Sequence, residues 1–398
     1  MFARKARPTG TARILVNTAN LHTGGGVAVA TSFVAELAQM PGVASRVTVL
    51  ASSEVDANVR TMGVDVLAFA DYIACDLRGA AAAWQRKPVR FRDFDVVFTV
   101  FGPLYAPVFR ARNIMGFAQP WIVYPHNDAY ALLPRGERLR TRVKFEVLAA
   151  AFAMADVLVV EQEHVRAGLR RRALFRRKRI EVVPSVVDSV YFDRSRWEPL
   201  ELPPADGRLR LGVVASNYPH KNLAVFPEVK RLLRDRHGLE ADFLVTFSEA
   251  DWARCSDDFR ASVVNVGTLA LPQCPTLNSQ LDGVVLPTLL ECYSATPIEA
   301  LAARTPLFAS DRPFVRDTVG DYARYFDPLD PSNIADVIAE YFLHPQDRWS
   351  EEADEGFRHV SDGYSARERA QLFVELWGES AAHVRGPTAE PADAGVGV

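Results

Sequence analysis

The sequence predicts an α/β protein of two tandem domains, each a parallel sheet covered by helices on both faces. Three observations carry this. Short, continuously apolar, β-branched runs recur along the chain with helical stretches between them, the pattern of strands buried on both faces. The series occurs twice, on either side of a segment rich in proline and charge, Asp193 to Asp206, which reads as an interdomain linker. A length of 398 residues suits about two or three domains, two substantial ones being the natural division.

Taken in order, Ala12–Asn17 is the first buried strand, Thr23–Gly26 the turn after it and Val27–Leu37 a helix. Val47–Leu50, Val66–Phe69, Val96–Val100 and Val157–Val160 follow as short strands, and Gly116–Ile122 is strand-like. Ile180–Pro184 closes this half near residue 190. The second series runs Leu209–Ala215, Phe243–Thr246, Val263–Val266, Gly283–Pro287 and Pro306–Ser310. The expected organisation is a flexible N-terminus (1–12), a first domain (13–190), a linker (191–208), a second domain (209–377) and a disordered Ala/Gly/Pro-rich tail (378–398). Two such domains leave a cleft at the carboxyl ends of their strands, where ligands of these sheets sit.

Composition narrows the function classes. The chain is 48% hydrophobic and 24% charged, ordinary for a globular enzyme. Its net charge of -3 gives the molecule as a whole no case for nucleic-acid binding. Cys75, Cys255, Cys274 and Cys292 are scattered, which suggests neither a zinc site nor a disulfide framework and fits a reducing compartment. Met1 to Pro8 lacks the apolar core of a signal peptide. The longest apolar stretch, Val147 to Val160, is broken by Asp156 and too short to span a bilayer. The expected location is therefore the cytoplasm, or at most the inner face of a membrane.

The segment Pro287–Ala302 concentrates the chemistry. An apolar strand ends in a turn carrying Glu291, and Pro297 and Ile298 lead into Glu299 on the first turn of a helix. The free backbone N–H groups of such a turn can hold an anion. Glu299 can accept the two hydroxyls of a nucleotide ribose, although first-turn glutamates are also favoured by the helix dipole alone. Asn217-Tyr-Pro-His220-Lys221-Asn222 follows the first strand of the second domain and precedes a helix beginning near Leu223. A lysine there can meet phosphate as a point charge, or simply be solvated beside its turn.

Other patterns are weaker. Gly24-Gly25-Gly26 occupies the equivalent turn of the first domain, where glycine allows close backbone approach and positive φ. It is not the dinucleotide fingerprint, yet Glu54 lies at about the distance of a ribose-binding acid, which keeps an NAD-dependent dehydrogenase open as an alternative. Asp93-Phe-Asp95 has the form of a metal-holding Asp-x-Asp but begins a strand, so it reads as structural. No histidines have metal spacing; His126 is the one best placed for the cleft, against a plain loop role. Arg166–Arg179 carries eight bases and no acid, and Arg135–Lys144 forms a second cluster. These are either solvated faces or a seat on anionic lipid; RNA is a third option that lacks a stacking platform.

On these residues the chain resembles the retaining GT-B glycosyltransferases of family four, the glycogen synthase- and sucrose synthase-like group, from about Ile14 to Trp377. Leu286–Glu291 through Glu299–Ala302 looks like the family's E-x7-E block, followed by Thr305–Asp311 and Tyr325–Pro328. Ala155–Val160 and Val182–Asp188 look like its strand before the linker and its "(I/V)PNGVD" segment, and Ala215–Asn222 like its donor-phosphate loop.

The resemblance implies two Rossmann-like α/β/α domains facing a cleft, with a C-terminal helix that can return to the first. It implies a hexosyltransferase that uses a nucleotide diphosphate sugar as donor, needs no tightly bound cofactor or metal, and serves a saccharide or polyprenyl-linked acceptor. Glu291 would lie against the sugar, Lys221 and Asn217 at the diphosphate, and Glu299 at the ribose. The backbone of Ser294, Ala295 and Thr296 would face phosphate and sugar, Gly24, Gly25 and Gly26 would border donor and acceptor, and the Asn265–Gln273 loop would frame the base. Ala215 stands where many members have arginine, Ser294 where the block has glycine, and Phe117–Pro120 where many have histidine–aspartate. A GT-B-like epimerase and a non-catalytic nucleotide-sugar binder are the remaining alternatives.

Overall fold

The computed structural model describes residues 12–104, 111–344 and 349–378. The flexible terminus and the disordered tail expected from sequence fall, but for residues 12 and 378, outside the described residues.

The first sheet contains β1 (Ile14–Thr18), β2 (Val47–Ala51), β3 (Asp71–Ala74), β4 (Val96–Thr99), β5 (Arg112–Gly116), β6 (Val157–Val160) and β7 (Arg179–Val182). Its spatial order is β3-β2-β1-β4-β5-β6-β7, parallel throughout. The second sheet contains β8 (Leu209–Val213), β9 (Ala241–Val245), β10 (Val263–Asn265), β11 (Gly283–Leu286), β12 (Leu307–Ser310) and β13 (Arg324–Phe326). Its order is β10-β9-β8-β11-β12-β13, also parallel. The strand order reverses between β1 and β4 in one sheet and between β8 and β11 in the other. Such reversals part the loops at the carboxyl ends and open a crevice for a ligand.

The central strands are buried because both sheet faces are covered. One face of the first sheet packs Phe33, Phe98 and Val49; the other packs Phe117, Phe152 and Phe175. The second domain has its own core around Phe243, Phe308 and Phe226. The C-terminal helix Ala366–Leu376 returns to the first domain, where Phe373 packs against Phe33 and Phe98 at 5.0 and 5.1 Å between ring centres. This is the return that the fold expectation allowed for.

Three local expectations are corrected. Val66–Phe69 is not a strand. Val66–Ala68 is a 3₁₀ turn, since the Asp65 carboxylate accepts from Leu67 N at 3.0 Å. The strand is the half-exposed β3 beyond it, an edge position that needs no apolar run. Gly116–Ile122 is the end of β5 followed by the helix Pro120–Val123. Gly116 ends that strand under Val100: a Cβ there would lie 1.7 Å from the Val100 carbonyl oxygen, which only glycine avoids. The helix expected from Leu223 begins at Phe226, because Asn222 adopts a left-handed conformation (φ 56°) and two 3₁₀ turns intervene.

Candidate functional site

The two loops flanking the β8/β11 reversal are joined to each other. The β8 loop is anchored where Ala215 N donates to Thr246 Oγ1 (3.0 Å) and where the Asn222 amide donates to Pro328 O (2.8 Å). The β11 loop is tied to it by Leu289 N donating to His220 O (2.8 Å) and by Thr288 Oγ1 donating to the same carbonyl (3.2 Å). Ser310 Oγ in turn holds Thr288 O at 2.8 Å.

On this frame Lys221 Nζ lies 2.5 Å from Glu291 Oε1, both side chains nearly buried (14% and 12% exposed). Thr288 Oγ1 also lies 3.3 Å from Glu291 Oε1, so its single proton is shared between that carboxylate and the His220 carbonyl. Glu299 sits one turn into the helix Thr296–Ala302, with its backbone N–H held by Ala295 O. Burial pushes its carboxyl up to about 7, with the Lys221 ammonium opposing, Asp188 adding to the rise and a hydrogen bond from Tyr191 opposing it. One ammonium thus serves two carboxyl groups. That arrangement can pass its charge to an incoming polyanion by releasing a carboxylate.

The other predicted residues are placed as follows. Ser294 and Thr296 are buried and Ala295 exposed in the turn between the two glutamates. The Asn217 amide contacts Cys255 Sγ at 3.5 Å. Gly24 has φ 69° ahead of the helix Gly25–Ala38, and a Cβ on Gly24 or Gly25 would meet nothing within 4 Å; all three glycines lie after β1 in the other domain. Asn265 is occupied in holding its own loop, its Oδ1 accepting from Phe247 N (2.9 Å) and Gly267 N (3.2 Å). Asp95 accepts from Arg13 N and Asp93 from Arg90, a structural use of that pair. Among the described residues, no group of three or more His, Cys, Asp or Glu is arranged to hold a metal ion.

Nearly full-length likeness to solved structures decides the architecture. Sucrose-phosphate synthase from Thermosynechococcus elongatus matches with a TM-score of 0.64 at 15% identity, over 92% of this chain and 98% of that one. A glycosyltransferase from Rickettsia africae ESF-5 matches at 0.63 and 12% identity over 92% and 98%, and apo OtsA at 0.63 and 11% over 93% and 100%. The fold is GT-B. No family model matches the chain. A stretch of 131 residues is 25% identical to the O-antigen chain mannosyltransferase RfbU of Salmonella typhimurium strain LT2, covering 31% of this chain and 36% of that protein's length.

In a GT-B fold the two domains meet across the cleft, and the histidine that bridges them here is His164. His126 is exposed. His164 follows β6 at the carboxyl edge of the first sheet. Its Nδ1 accepts from the Tyr124 hydroxyl at 2.6 Å, while Nε2 faces Gln162 Oε1 (2.6 Å) and Cys292 O (3.0 Å), the carbonyl next to Glu291. Its backbone N–H donates to Asp317 of the second domain at 2.9 Å. Arg312 reaches back to Asp128 at 2.8 Å, and Ala129 packs with Leu289 and Leu290. The sequence signal was available: Glu161–His164 directly follows a buried strand, where a GT-B domain places its ligand loops.

Burial pulls the His164 ring below its ordinary value, against Asp317 and the Cys292 carbonyl. The folded value lies below the unfolded one, so the stabilisation by the neutral ring is complete above about pH 6.5 and is lost as pH falls through the folded value. The melting temperature is therefore expected to fall on acidification below about 6.5. His164→Gln should lower it at pH 7.5 and flatten the acid decline, leaving the part due to His220, which burial depresses likewise. Equal acid slopes in wild type and variant would assign the decline elsewhere.

Proposed function

We propose that the protein is a glycosyltransferase that moves a sugar from a nucleoside diphosphate donor to a saccharide or lipid-linked acceptor, with retention, in polysaccharide or glycoconjugate biosynthesis. The observation that carries this reading is the Lys221–Glu291 pair beside Glu299, built by the two loops that flank the strand reversal of a GT-B second domain. The similarity to proteins described as glycosyltransferases supports it. In this reading 13–190 is the acceptor-side domain, 191–208 the linker and 209–377 the donor domain, and the enzyme works in the cytoplasm.

The chemistry asks for charge at the leaving group. As the bond from the anomeric carbon to the diphosphate oxygen breaks, the electron pair leaves with the diphosphate, and Lys221 and the backbone of Ser294, Ala295 and Thr296 meet that charge. Asn217 lies on the same loop as Lys221. Glu291, released from Lys221, faces the sugar and stabilises positive charge at the anomeric carbon. The acceptor oxygen bonds to that carbon on the face the diphosphate leaves, and its proton passes to a diphosphate oxygen. Gly24 and Gly25, across the cleft, leave open space for donor and acceptor, and Gly26 borders it against Leu21 and Phe101. Closure of the two domains excludes water and disfavours hydrolysis.

Glu299 supplies a pH signature. Only its carboxylate can accept both ribose hydroxyls, and its carboxyl holds a proton up to about pH 7 in the free protein. Donor binding is expected to strengthen as pH rises from 5.5 to about 7 and to level off above, releasing a proton on the acid side. Titration with a nucleotide sugar checks this. A flat profile in wild type, or the same slope in Glu299→Gln, removes Glu299 from the ribose.

The defining experiment incubates the protein with a panel of nucleotide sugars, with and without oligosaccharide and polyprenyl-linked acceptors, and follows nucleoside diphosphate release. Acceptor-dependent release that disappears in Glu291→Ala is the expected result. Release without acceptor and with an altered sugar would replace the transferase by an epimerase, and saturable NAD binding would point to an oxidoreductase.

A further inference from the structure

We propose that the helix Arg135–Phe152 seats this protein on an anionic lipid surface by an apolar stripe on its outward face. The helix buries Phe145, Ala149 and Phe152 against the first domain. At about 100° per residue the opposite face carries Leu139, Val143 and Val147, four residues apart and in line. They are 67%, 55% and 68% exposed, and the stripe is prolonged by Leu132 before the helix and Met154 after it. A surface helix of a water-bound protein turns charge outward on that face; here aliphatic side chains occupy it.

Bases flank the stripe on both sides. The same helical geometry places Arg140 and Lys144 along one edge and Arg135 and Arg142 along the other. The patch continues beyond the helix, because Arg172 pairs with Glu146 at 2.6 Å and Lys178 Nζ donates to Ala155 O at 2.8 Å. Those bonds bring up the segment carrying Arg170, Arg171, Arg176 and Arg177, which are exposed and have no acidic partner among the described residues. Residues 135–179 hold 13 basic and 5 acidic side chains in a chain that has 46 and 49. A region of net charge +8 therefore sits on a molecule of net charge -3.

An aliphatic stripe edged by bases matches the boundary between anionic headgroups and acyl chains: the stripe enters the boundary and the bases stay with the headgroups. A second copy fits less well, since a two-fold contact through the stripe sets each basic patch against its twin. Nucleic acid would meet the bases but gains nothing from leucine and valine, which offer no stacking surface. Lipid contact is thereby assigned to Arg135–Phe152, with Arg166–Arg179 as its electrostatic flank. Among the described residues no helix is long and apolar enough to cross a membrane, so the contact is peripheral. The stripe begins at Leu132, in the 3₁₀ turn whose Asp128 and Ala129 meet the second domain.

The test is sedimentation of the full chain with vesicles of phosphatidylcholine alone or with about one-third phosphatidylglycerol, and needs no knowledge of the sugar substrates. Wild type is expected to prefer the anionic vesicles by about tenfold or more at low salt. Leu139→Ser/Val143→Ser/Val147→Ser should weaken that binding by about tenfold or more. Arg170→Ala/Arg171→Ala/Arg176→Ala/Arg177→Ala should weaken it and reduce its salt dependence, both variants keeping the wild-type melting curve. Wild type that ignores anionic vesicles, or serine and wild-type proteins that bind them equally, overturns the proposal. So does a wild-type dimer in analytical ultracentrifugation that the serine variant converts to monomer, which would give the stripe to a second copy.

Discussion

Lys221→Met is expected to reduce sugar transfer by about 100- to 1,000-fold, the scale on which one preorganised charge donor contributes to turnover, and to weaken nucleotide binding. Glu291→Gln should reduce transfer by a similar factor while leaving nucleotide binding unchanged or tighter. The asymmetry follows from the free protein, in which the ammonium is already paired with Glu291 at 2.5 Å. In the proposed reaction the donor diphosphate takes Lys221 from that carboxylate. Removing the negative charge of Glu291 frees the ammonium, whereas removing Lys221 leaves two acidic groups, Glu291 and Glu299, facing an anion. Calorimetric titration with nucleoside diphosphates separates the two variants. Equal loss of binding in both would mean that the pair is a structural clamp, and equal turnover in variants and wild type would move the chemistry elsewhere.

Arg369→Met is expected to destabilise the protein by about 3–5 kcal/mol, the usual cost of leaving one member of a buried ion pair alone. Arg369 is on the returning C-terminal helix and meets Glu161 at 3.0 Å, with 6% and 10% of the side chains exposed. Burial raises the Glu161 carboxyl, against the guanidinium and a hydrogen bond from Ser185. Without Arg369 that carboxyl is raised further. A raised folded value contributes stability that is full below the unfolded value, about 4.3, and is lost as pH rises. The variant's deficit should accordingly be larger at pH 8 than at pH 5, as read from denaturant midpoints. Glu161→Leu/Arg369→Met should recover most of the loss. A deficit that does not change with pH, or no recovery in the double variant, would show that the arginine acts through packing on Phe373 rather than through its charge.

Residue pattern alone was enough for the elements whose periodicity has only one solution. Continuous apolar runs such as Val96–Thr99 and Gly283–Leu286 became central parallel strands, since a strand buried on both faces has little alternative. The span from Glu291 to Glu299 was legible as a strand-to-helix turn for the same local reason. Two strands were less legible. β3, at the sheet edge, has no fully buried residue and the interior strand β5 begins Arg-Asn, so neither displays the pattern in full, and Asp65 turned Val66–Ala68 into a 3₁₀ turn with a single side-chain bond.

The two-sheet α/β architecture and the local chemistry of each loop can be read from residue order, because periodicity and turn residues act over a few positions. Which loops meet was the work of tertiary packing. It set Lys221 against Glu291 across 70 residues, placed His164 against the carbonyl beside that glutamate across 128, and carried Arg369 back to Glu161 across 208. It also turned Leu139, Val143 and Val147 outward on a helix whose buried face is equally apolar. These are contacts between distant segments, fixed by strand order and domain packing, and strand order is not written in any one strand.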